Sequence, residues 1–404
     1  MTKYVVVGGN VAGVTAAKRV RDLDPGSQVA LYTEEPYPYY YRPRLWEYIA
    51  GQIQPEDTYY RPVEWYAQQG IDLHLASRVE QFDPASKTLG LQNGETVSYD
   101  RLLIATGGRC FIPPVEGADL PGVFDLRTLD DAKGIVARAE QVKEAVLIGG
   151  GLLGLETAKA LSDRGLRVTV VEFFPHLLPR QLDAPGSEVL ATHLNQLGMT
   201  LLTGEVTQSI EAQGDDLLVS LKSGKQLKAG LVIFSTGIRS EVSIWQSGGV
   251  ETNRGIVVNE YLETNLADVF AAGDDAEYQG MIYGIIPAAL EQAEHAAANM
   301  VHTRSSRYNG TLLSTRLKIA GMKFDALGDS TLEGEDVTVL RLSQPAAGRY
   351  ERIAIRGGAI VGAIVLGDSR RVQPLKRLIA AGVNVSYVQD QLFDKNFDLK
   401  SLIQ

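Results

Sequence analysis

The sequence predicts an α/β protein: two Rossmann-like three-layer (ββα-containing) nucleotide-binding domains, the second inserted into the first, followed by a small α+β domain. Three observations lead there. The apolar run Val146-Leu147-Ile148 stops at Gly149-Gly150-Gly151, and a helical pattern follows as far as Gly165. The run Tyr4-Val5-Val6-Val7 enters a second such turn, Gly8-Gly9-Asn10-Val11-Ala12-Gly13. From about Tyr308 the strand–helix alternation gives way to strand-like runs and one late helix.

Gly149, Gly151 and Gly154 fit G-x-G-x-x-G between a strand and a helix, the setting in which that spacing binds a dinucleotide. The first glycine permits the tight turn, the second lets backbone approach a pyrophosphate, and the third lets helix pack on strand. The helix start at Leu152 and Leu153 presents amide donors and a partial positive charge to phosphate oxygens. A second strand, Val168-Thr169-Val170-Val171, ends at Glu172. An acid about 20 residues past the glycines accepts bonds from an adenine-ribose 2′-OH and repels a 2′-phosphate, which predicts NADH over NADPH. Gly237, after the strand-like run Leu231 to Thr236, completes this site.

The first turn departs from the pattern, because Asn10 stands where the middle glycine is expected. Asn tolerates unusual backbone angles better than most residues, although its side chain crowds a pyrophosphate. The strand Val29 to Thr33 then leads to two acids, Glu34 and Glu35. Glu34 is the better ribose ligand by spacing, with Glu35 the alternative.

The order of motifs sets the domains. Residues 1–112 and 241–307 form the first nucleotide domain, 113–240 the inserted one, and 308–404 the α+β domain. Pro113-Pro114 and Arg239-Ser240-Glu241 mark the two crossings.

Composition narrows the class. With 45% hydrophobic and 22% charged residues the 404-residue chain is globular and able to bury a large core. A net charge of −10 argues against a general nucleic-acid binder. No apolar run reaches the length of a membrane-spanning helix, and the N-terminus reads as a first strand, so a cytoplasmic enzyme is expected. Cys110 is the sole cysteine, which leaves no C-x-x-C pair and no cysteine-ligated cluster; five scattered histidines offer no metal site. Residues 341–404 carry ten Lys/Arg against five Asp/Glu. That asymmetry predicts a basic patch, with Arg370, Arg371, Lys376 and Arg377 as its members.

Further stretches carry a family resemblance. Tyr99 to Gly107, with Ala105-Thr106-Gly107 at its end, looks like the strand that closes a flavoprotein's first domain. Thr264 to Asp274, ending Ala271-Ala272-Gly273-Asp274, looks like the second FAD signature. Tyr39-Tyr40-Tyr41-Arg42-Pro43-Arg44-Leu45-Trp46-Glu47 is similar to the Y-x-R-P-R-L-x-E segment of rubredoxin reductases. Gly154-Leu155-Glu156 and Arg254 to Asn259 match the same branch. The chain thus resembles the FAD- and NAD(P)H-dependent pyridine nucleotide oxidoreductases, and within them the rubredoxin reductases and nitrite-reductase-like flavoproteins.

The resemblance implies FAD on the Gly8 domain and NADH on the Gly149 domain. It places Arg42, Pro43 and Arg127 at the FAD phosphates, the Val79 backbone at the adenine, and Gly273 and Asp274 at the ribityl chain. The helix after Pro287, starting at Ala288, would aim its positive end at the flavin. Glu156 and Glu47 are the candidate catalytic pair near the nicotinamide and the flavin edge. Many relatives have a lysine where Glu47 stands, and two facing carboxylates raise the pKa of one. The redox cysteines of disulfide- and peroxide-reducing members are absent, so Cys110 is expected to be structural. The implied activity is NADH oxidation through FAD to a small acidic one-electron carrier, rubredoxin- or ferredoxin-like, by a monomer or homodimer. Alternatives are an NADH oxidase or diaphorase acting on oxygen, a quinone or a dye, and a redox-gated binding flavoprotein.

Overall fold

The computed structural model describes residues 1–319, 321–394 and 396–403. The chain falls into two compact units: residues 1–44, 54–109 and 238–311, and residues 45–53, 110–237 and 312–404.

In the first unit Lys3–Val7 lies at the centre of a five-stranded parallel sheet. Arg101–Ile104 and then Val269–Ala271 flank it on one side, Gln28–Tyr32 and Asp72–His74 on the other. Parallel strands of this kind are buried on both faces and read as continuous apolar runs; Val5, Val6, Leu102, Leu103 and Ile104 are all fully buried. The helices Val11–Leu23 and Ile286–Val301 pack against each other. Alanines make that approach close, since Ala16, Ala17, Ala293, Ala296 and Ala297 are all fully buried. A three-stranded antiparallel sheet, Val79–Asp83, Thr88–Leu91 and Thr96–Ser98, shares the same core through Leu89, Leu91 and Val97.

The second unit repeats the plan. Its parallel sheet runs Thr200–Thr203, Arg167–Glu172, Glu144–Ile148, Leu231–Phe234, Val123–Asp125. Helices Leu129–Ala139, Leu152–Asp163 and Ala184–Gln196 accompany it. A second antiparallel trio, Thr207–Gln213, Asp216–Leu221 and Gln226–Ala229, joins its core through Ile210, Val219 and Leu221. Residues 45–53, which the motif order groups with the first nucleotide domain, pack here instead: Leu45–Ile49 lies against the helices Leu129–Ala139 and Leu152–Asp163. Arg164 donates to the carbonyl of Ile49 and fixes the segment.

The C-terminal part is an antiparallel sheet, Ser314–Ile319, Met322–Gly328, Ala359–Leu366, Arg349–Arg356, Val337–Gln344, with the helix Val372–Ala381 packed on it. Leu375 and Leu378, one helical turn apart, reach Ile353, Ile355 and Val365 in one core.

Part of the domain's positive charge is spent inside it: of the four expected patch members Arg371 is withdrawn, while Arg370 and Arg377 stay exposed and Lys376 partly so. Arg352 is fully buried and donates to the carbonyls of Ser330 and Leu332. Arg371 pairs with the buried Glu351 at 2.7 Å and keeps only 13% side-chain exposure. Arg349 pairs with the same carboxylate. Arg370 is exposed but bound to Asp368. A buried carboxylate must be paired to be tolerated, and Glu351 draws in two of the arginines the charge count treats as surface.

Candidate functional site

Both glycine turns are built to one pattern. Gly8 has φ +118 and Gly149 has φ +115, backbone that glycine alone adopts readily. A Cβ on Gly8 would lie 1.9 Å from the carbonyl oxygen of Ala105, and one on Gly149 2.2 Å from that of Ser235. At the third position a Cβ on Gly13 would lie 1.9 Å from the Gly8 oxygen, and one on Gly154 2.3 Å from the Gly149 oxygen. The fold itself demands these four glycines.

The middle position is different. Gly151 has φ −78 and ψ −179, which any residue can adopt, and a Cβ there would meet nothing within 4 Å. Asn10 has similarly extended angles, φ −101 and ψ −165. Tolerance of unusual angles is therefore not why Asn10 is accepted, a correction to the sequence argument. Nothing in the chain requires glycine at 151, and the open space in front of it is what an approaching pyrophosphate needs. Asn10 puts a side chain at the corresponding position of the first turn, and that side chain makes no cap bond.

The helices behind the turns start bare. Asn10, Gly151 and Ile285 cap the helices Val11–Leu23, Leu152–Asp163 and Ile286–Val301 without any side-chain bond, and none has an acid in its first turn. Helices Leu129–Ala139 and Ala184–Gln196 are capped by Thr128 and Asp183. Uncapped, acid-free starts leave amide donors for an anion. Pro287 sits in the first turn of its helix, where its missing N–H costs nothing, and Ala288 is buried behind it.

The acids at the ends of the second strands are not equivalent. The amides of Gly8 and Gly149 donate to Tyr32 and Val171 respectively, so the place of Glu172 is taken in the first turn by Thr33. Glu34 and Glu35 fall where Phe173 and Phe174 stand in the second. Glu172 is 6% exposed; it accepts from the amide of Gly150 at 2.5 Å and from that of Phe174 at 2.8 Å. Glu34 is exposed and pairs with Arg109 at 3.0 Å and Arg78 at 3.9 Å. Glu35 accepts from the Tyr40 hydroxyl at 2.5 Å and from Arg42 at 2.6 Å. Arg42 thus has a carboxylate partner already; Pro43 beside it is exposed.

Val79 begins its strand opposite Leu91. Arg127 lies in the second unit, where its amide donates to Asp131. Gly237 is exposed at φ +100, and its carbonyl accepts from Phe111.

Gly273 has φ +88, and its amide donates to the buried Gln292 at 2.8 Å. Asp274 is partly exposed, and its carbonyl accepts from Ser240. Its neighbour Asp275 carries no motif of its own in the sequence. That carboxyl is fully buried and accepts from the Gly107 amide at 2.7 Å and the Thr106 hydroxyl at 3.1 Å. It ties the Ala105-Thr106-Gly107 turn to the Gly273 turn. Burial raises its pKa well above the usual range, against the pull of those donors. Only the adjacent signature could have pointed to it, because its partners lie 168 and 169 positions away.

Glu156 and Glu47 do come together electrostatically. Burial first, then the Glu47 carboxylate, pushes the Glu156 pKa up to about 8. Glu156 sits on the helix Leu152–Asp163 and Glu47 on Leu45–Ile49, packed against it. Cys110 is partly buried; desolvation, then Asp125, pushes its thiol up to about 12, so it carries no thiolate at neutral pH. Among the described residues no cluster of three or more His, Cys, Asp or Glu could hold a metal, and no helix is long and apolar enough to cross a membrane.

Comparison with known proteins places this geometry. Residues 2–299 match the family described as pyridine nucleotide-disulphide oxidoreductase, and residues 314–383 match the rubredoxin NAD+ reductase C-terminal domain. A nitrite reductase [NAD(P)H] of Bacillus subtilis is 34% identical over 95% of this chain and 48% of its own length. The chain therefore spans about half the length of that relative. An NADH-rubredoxin oxidoreductase of Clostridium acetobutylicum is 30% identical, with 94% of each chain covered. Among solved structures, a ferredoxin reductase of Rhodopseudomonas palustris superposes with a TM-score of 0.90 over 99% of both chains at 26% identity. The twin turns, the order of the strands and these likenesses agree: the chain belongs to the pyridine nucleotide-disulphide oxidoreductase family and ends in a rubredoxin reductase C-terminal domain.

Proposed function

We propose that this chain is an NADH-dependent flavoprotein reductase that passes electrons to a small one-electron carrier of the rubredoxin or ferredoxin kind. The carrying observation is that a Cβ at Gly151 would meet nothing within 4 Å, so it is not the fold that requires glycine at the middle of this turn, whereas a pyrophosphate lying against the turn would. Residues 1–112 and 241–307 hold FAD, and residues 113–240 hold NADH. When bound, the pyridine nucleotide supplies a hydride and the flavin accepts it.

The chain's own part is placement. The amides at the starts of Val11–Leu23 and Leu152–Asp163 take the two pyrophosphates. Glu172, fixed by two backbone donors, meets the adenosine ribose and disfavours a 2′-phosphate. Thr106, Gly107 and Asp274 line the flavin side, with Asp275 locking their turns. Glu156 holds a proton at neutral pH that a lone exposed carboxyl would lose.

Two findings favour an outgoing one-electron step over a disulfide relay. The single cysteine is a partly buried thiol rather than a thiolate. The named relatives of matching length include a rubredoxin oxidoreductase and a ferredoxin reductase. The test is anaerobic titration of the FAD-loaded protein with NADH, followed by mixing with rubredoxin, ferredoxin or oxygen. The expected result is bleaching at one NADH per flavin, then recovery of colour faster with a carrier than with oxygen. Failure to bleach rejects the reductase; recovery with oxygen alone makes it an oxidase.

A further inference from the structure

Asp275, the residue after the Gly273-Asp274 pair, carries a fully buried carboxyl with few contacts. One oxygen accepts from the Gly107 amide at 2.7 Å, and the Thr106 hydroxyl lies 3.1 Å from both oxygens. No cation among the described residues pairs with it.

A buried carboxylate needs a partner charge or enough donors to replace water. The neighbouring segments bring donors only. Arg109 is spent on Glu241 and Glu34. Arg254 donates to the carbonyl of Gly280, and the Glu277 carboxylate is turned to Asn253 and Gly255. Arg239, on the strand Ile238–Ser240, is exposed. The helix Ile286–Val301 offers the neutral Gln292, which accepts from Gly273. Two opposed effects thus meet on one group. Burial and then Asp274 favour the neutral acid, while Gly107 and Thr106 favour the carboxylate. A carboxyl held between such effects changes its protonation when a nearby charge changes.

We infer that Asp275 is a redox-linked proton acceptor, taking up a proton from water as FAD is reduced and releasing it when the electrons leave for the carrier. This rests on the flavin lying against the Thr106-Gly107 and Gly273-Asp274 turns. Hydride transfer turns NADH into NAD+ and gives the flavin one added negative charge. An O–H bond then forms on the carboxylate and offsets that charge; no electron passes through Asp275. The proton enters by way of Thr106, which is partly buried, because a hydroxyl can accept one proton as it gives up its own. The neutral carboxyl lowers the cost of holding two electrons until successive one-electron acceptors arrive.

Anaerobic reduction of the FAD-loaded protein by one equivalent of NADH, in weakly buffered solution with a pH indicator, tests this. At a pH where reduced flavin stays anionic, hydride transfer alone exchanges no proton with water. A tenfold gain in proton affinity on reduction should give uptake of roughly half a proton per flavin at the middle of the pH window, and less to either side. Infrared difference spectra should gain a protonated-carboxyl band on reduction. Asp275→Asn, which keeps an acceptor for Gly107, should abolish both signals, while Glu156→Gln keeps them. Thr106→Val removes one donor to the carboxylate at nearly constant shape, so its uptake window should move to higher pH; this arm decides if Asp275→Asn does not hold FAD. Uptake that persists in Asp275→Asn, disappears in Glu156→Gln, keeps its window in Thr106→Val or is missing from the unsubstituted protein at every pH overturns the proposal. If NADH does not bleach the flavin, the reductase reading itself fails; if it bleaches without uptake that depends on Asp275, only the proton acceptor does.

Discussion

Asp183 caps the helix Ala184–Gln196 with one carboxylate oxygen, which accepts from the Gly186 amide, and takes the Tyr350 hydroxyl on the other at 2.6 Å. The second oxygen also lies 3.1 Å from Arg341 and 3.3 Å from the fully buried Arg352. One 9%-exposed carboxylate thus starts a helix beside the second parallel sheet and anchors two strands of the C-terminal sheet. Losing a cap costs about 1 kcal/mol, and stranding a buried cation costs about 3–5 kcal/mol more. Asp183→Ala should therefore lower unfolding free energy by several kcal/mol in urea. Asp183→Asn should recover part of the loss by keeping the cap. Equal stability of Asp183→Ala and the unsubstituted chain would mean Arg352 is held by its two carbonyl partners alone.

The Glu156 carboxyl gives a pH prediction. Its folded pKa, about 8, lies above the ordinary value of 4.5. Between those pH values the unfolded chain has released the proton and the folded chain still holds it. Folding is then increasingly disfavoured as pH rises from about 4.5 to 8, with no further change above. Glu156→Gln should remove that slope, so the difference in Tm between the variant and the parent should widen up to pH 8 and then level. Glu47→Gln should move the upper end of the window downward without abolishing it, because burial is the larger cause. Parallel Tm curves for parent and Glu156→Gln across this range would contradict the shift.

The glycine turns separate folding from binding. Gly149→Ala puts a Cβ 2.2 Å from the Ser235 oxygen at a positive φ, and should cost at least about 1–3 kcal/mol of stability. Gly151→Ala meets no atom within 4 Å. Its Tm should stay within error of the parent while the NADH dissociation constant rises tenfold or more, about 1.4 kcal/mol. A Gly151→Ala variant that binds NADH normally would mean that the pyrophosphate does not approach there.

What could be read from sequence was local, and what could not was set by distant partners. The strand–turn–helix units are written in contiguous residues, so both sheets and their helices follow from Val146 to Gly165 and from Tyr4 to Leu23. Equivalence between the two turns was less legible. Spacing alone suggests Glu34 as the counterpart of Glu172, and only the backbone bonds from Gly8 and Gly149 show that Thr33 holds that place. Asp275 is silent in sequence because its role is a contact with Thr106 and Gly107 across two strands. The basic count of the C-terminal domain overstates its surface charge for the same reason: Arg352 and Arg371 are consumed by Asp183 and Glu351, while Arg370 and Arg377 remain exposed. Charge composition carries no information about which charges are paired.

That pairing decides how a carrier-docking surface should be tested. Reversing Arg371 would set a second carboxylate against the buried Glu351 with only Arg349 left to balance it, so any loss of carrier reduction in that variant would be ambiguous. Arg377 is exposed on the helix Val372–Ala381, and Lys376 beside it is partly so. If an acidic carrier docks on this face, Arg377→Glu should slow flavin reoxidation by the carrier severalfold at low salt and much less at high salt, because screening removes long-range attraction. Reduction by NADH and Tm should not change. A carrier rate identical to the parent's at low ionic strength would exclude this helix from the docking surface and leave the domain's positive charge to its internal ion pairs.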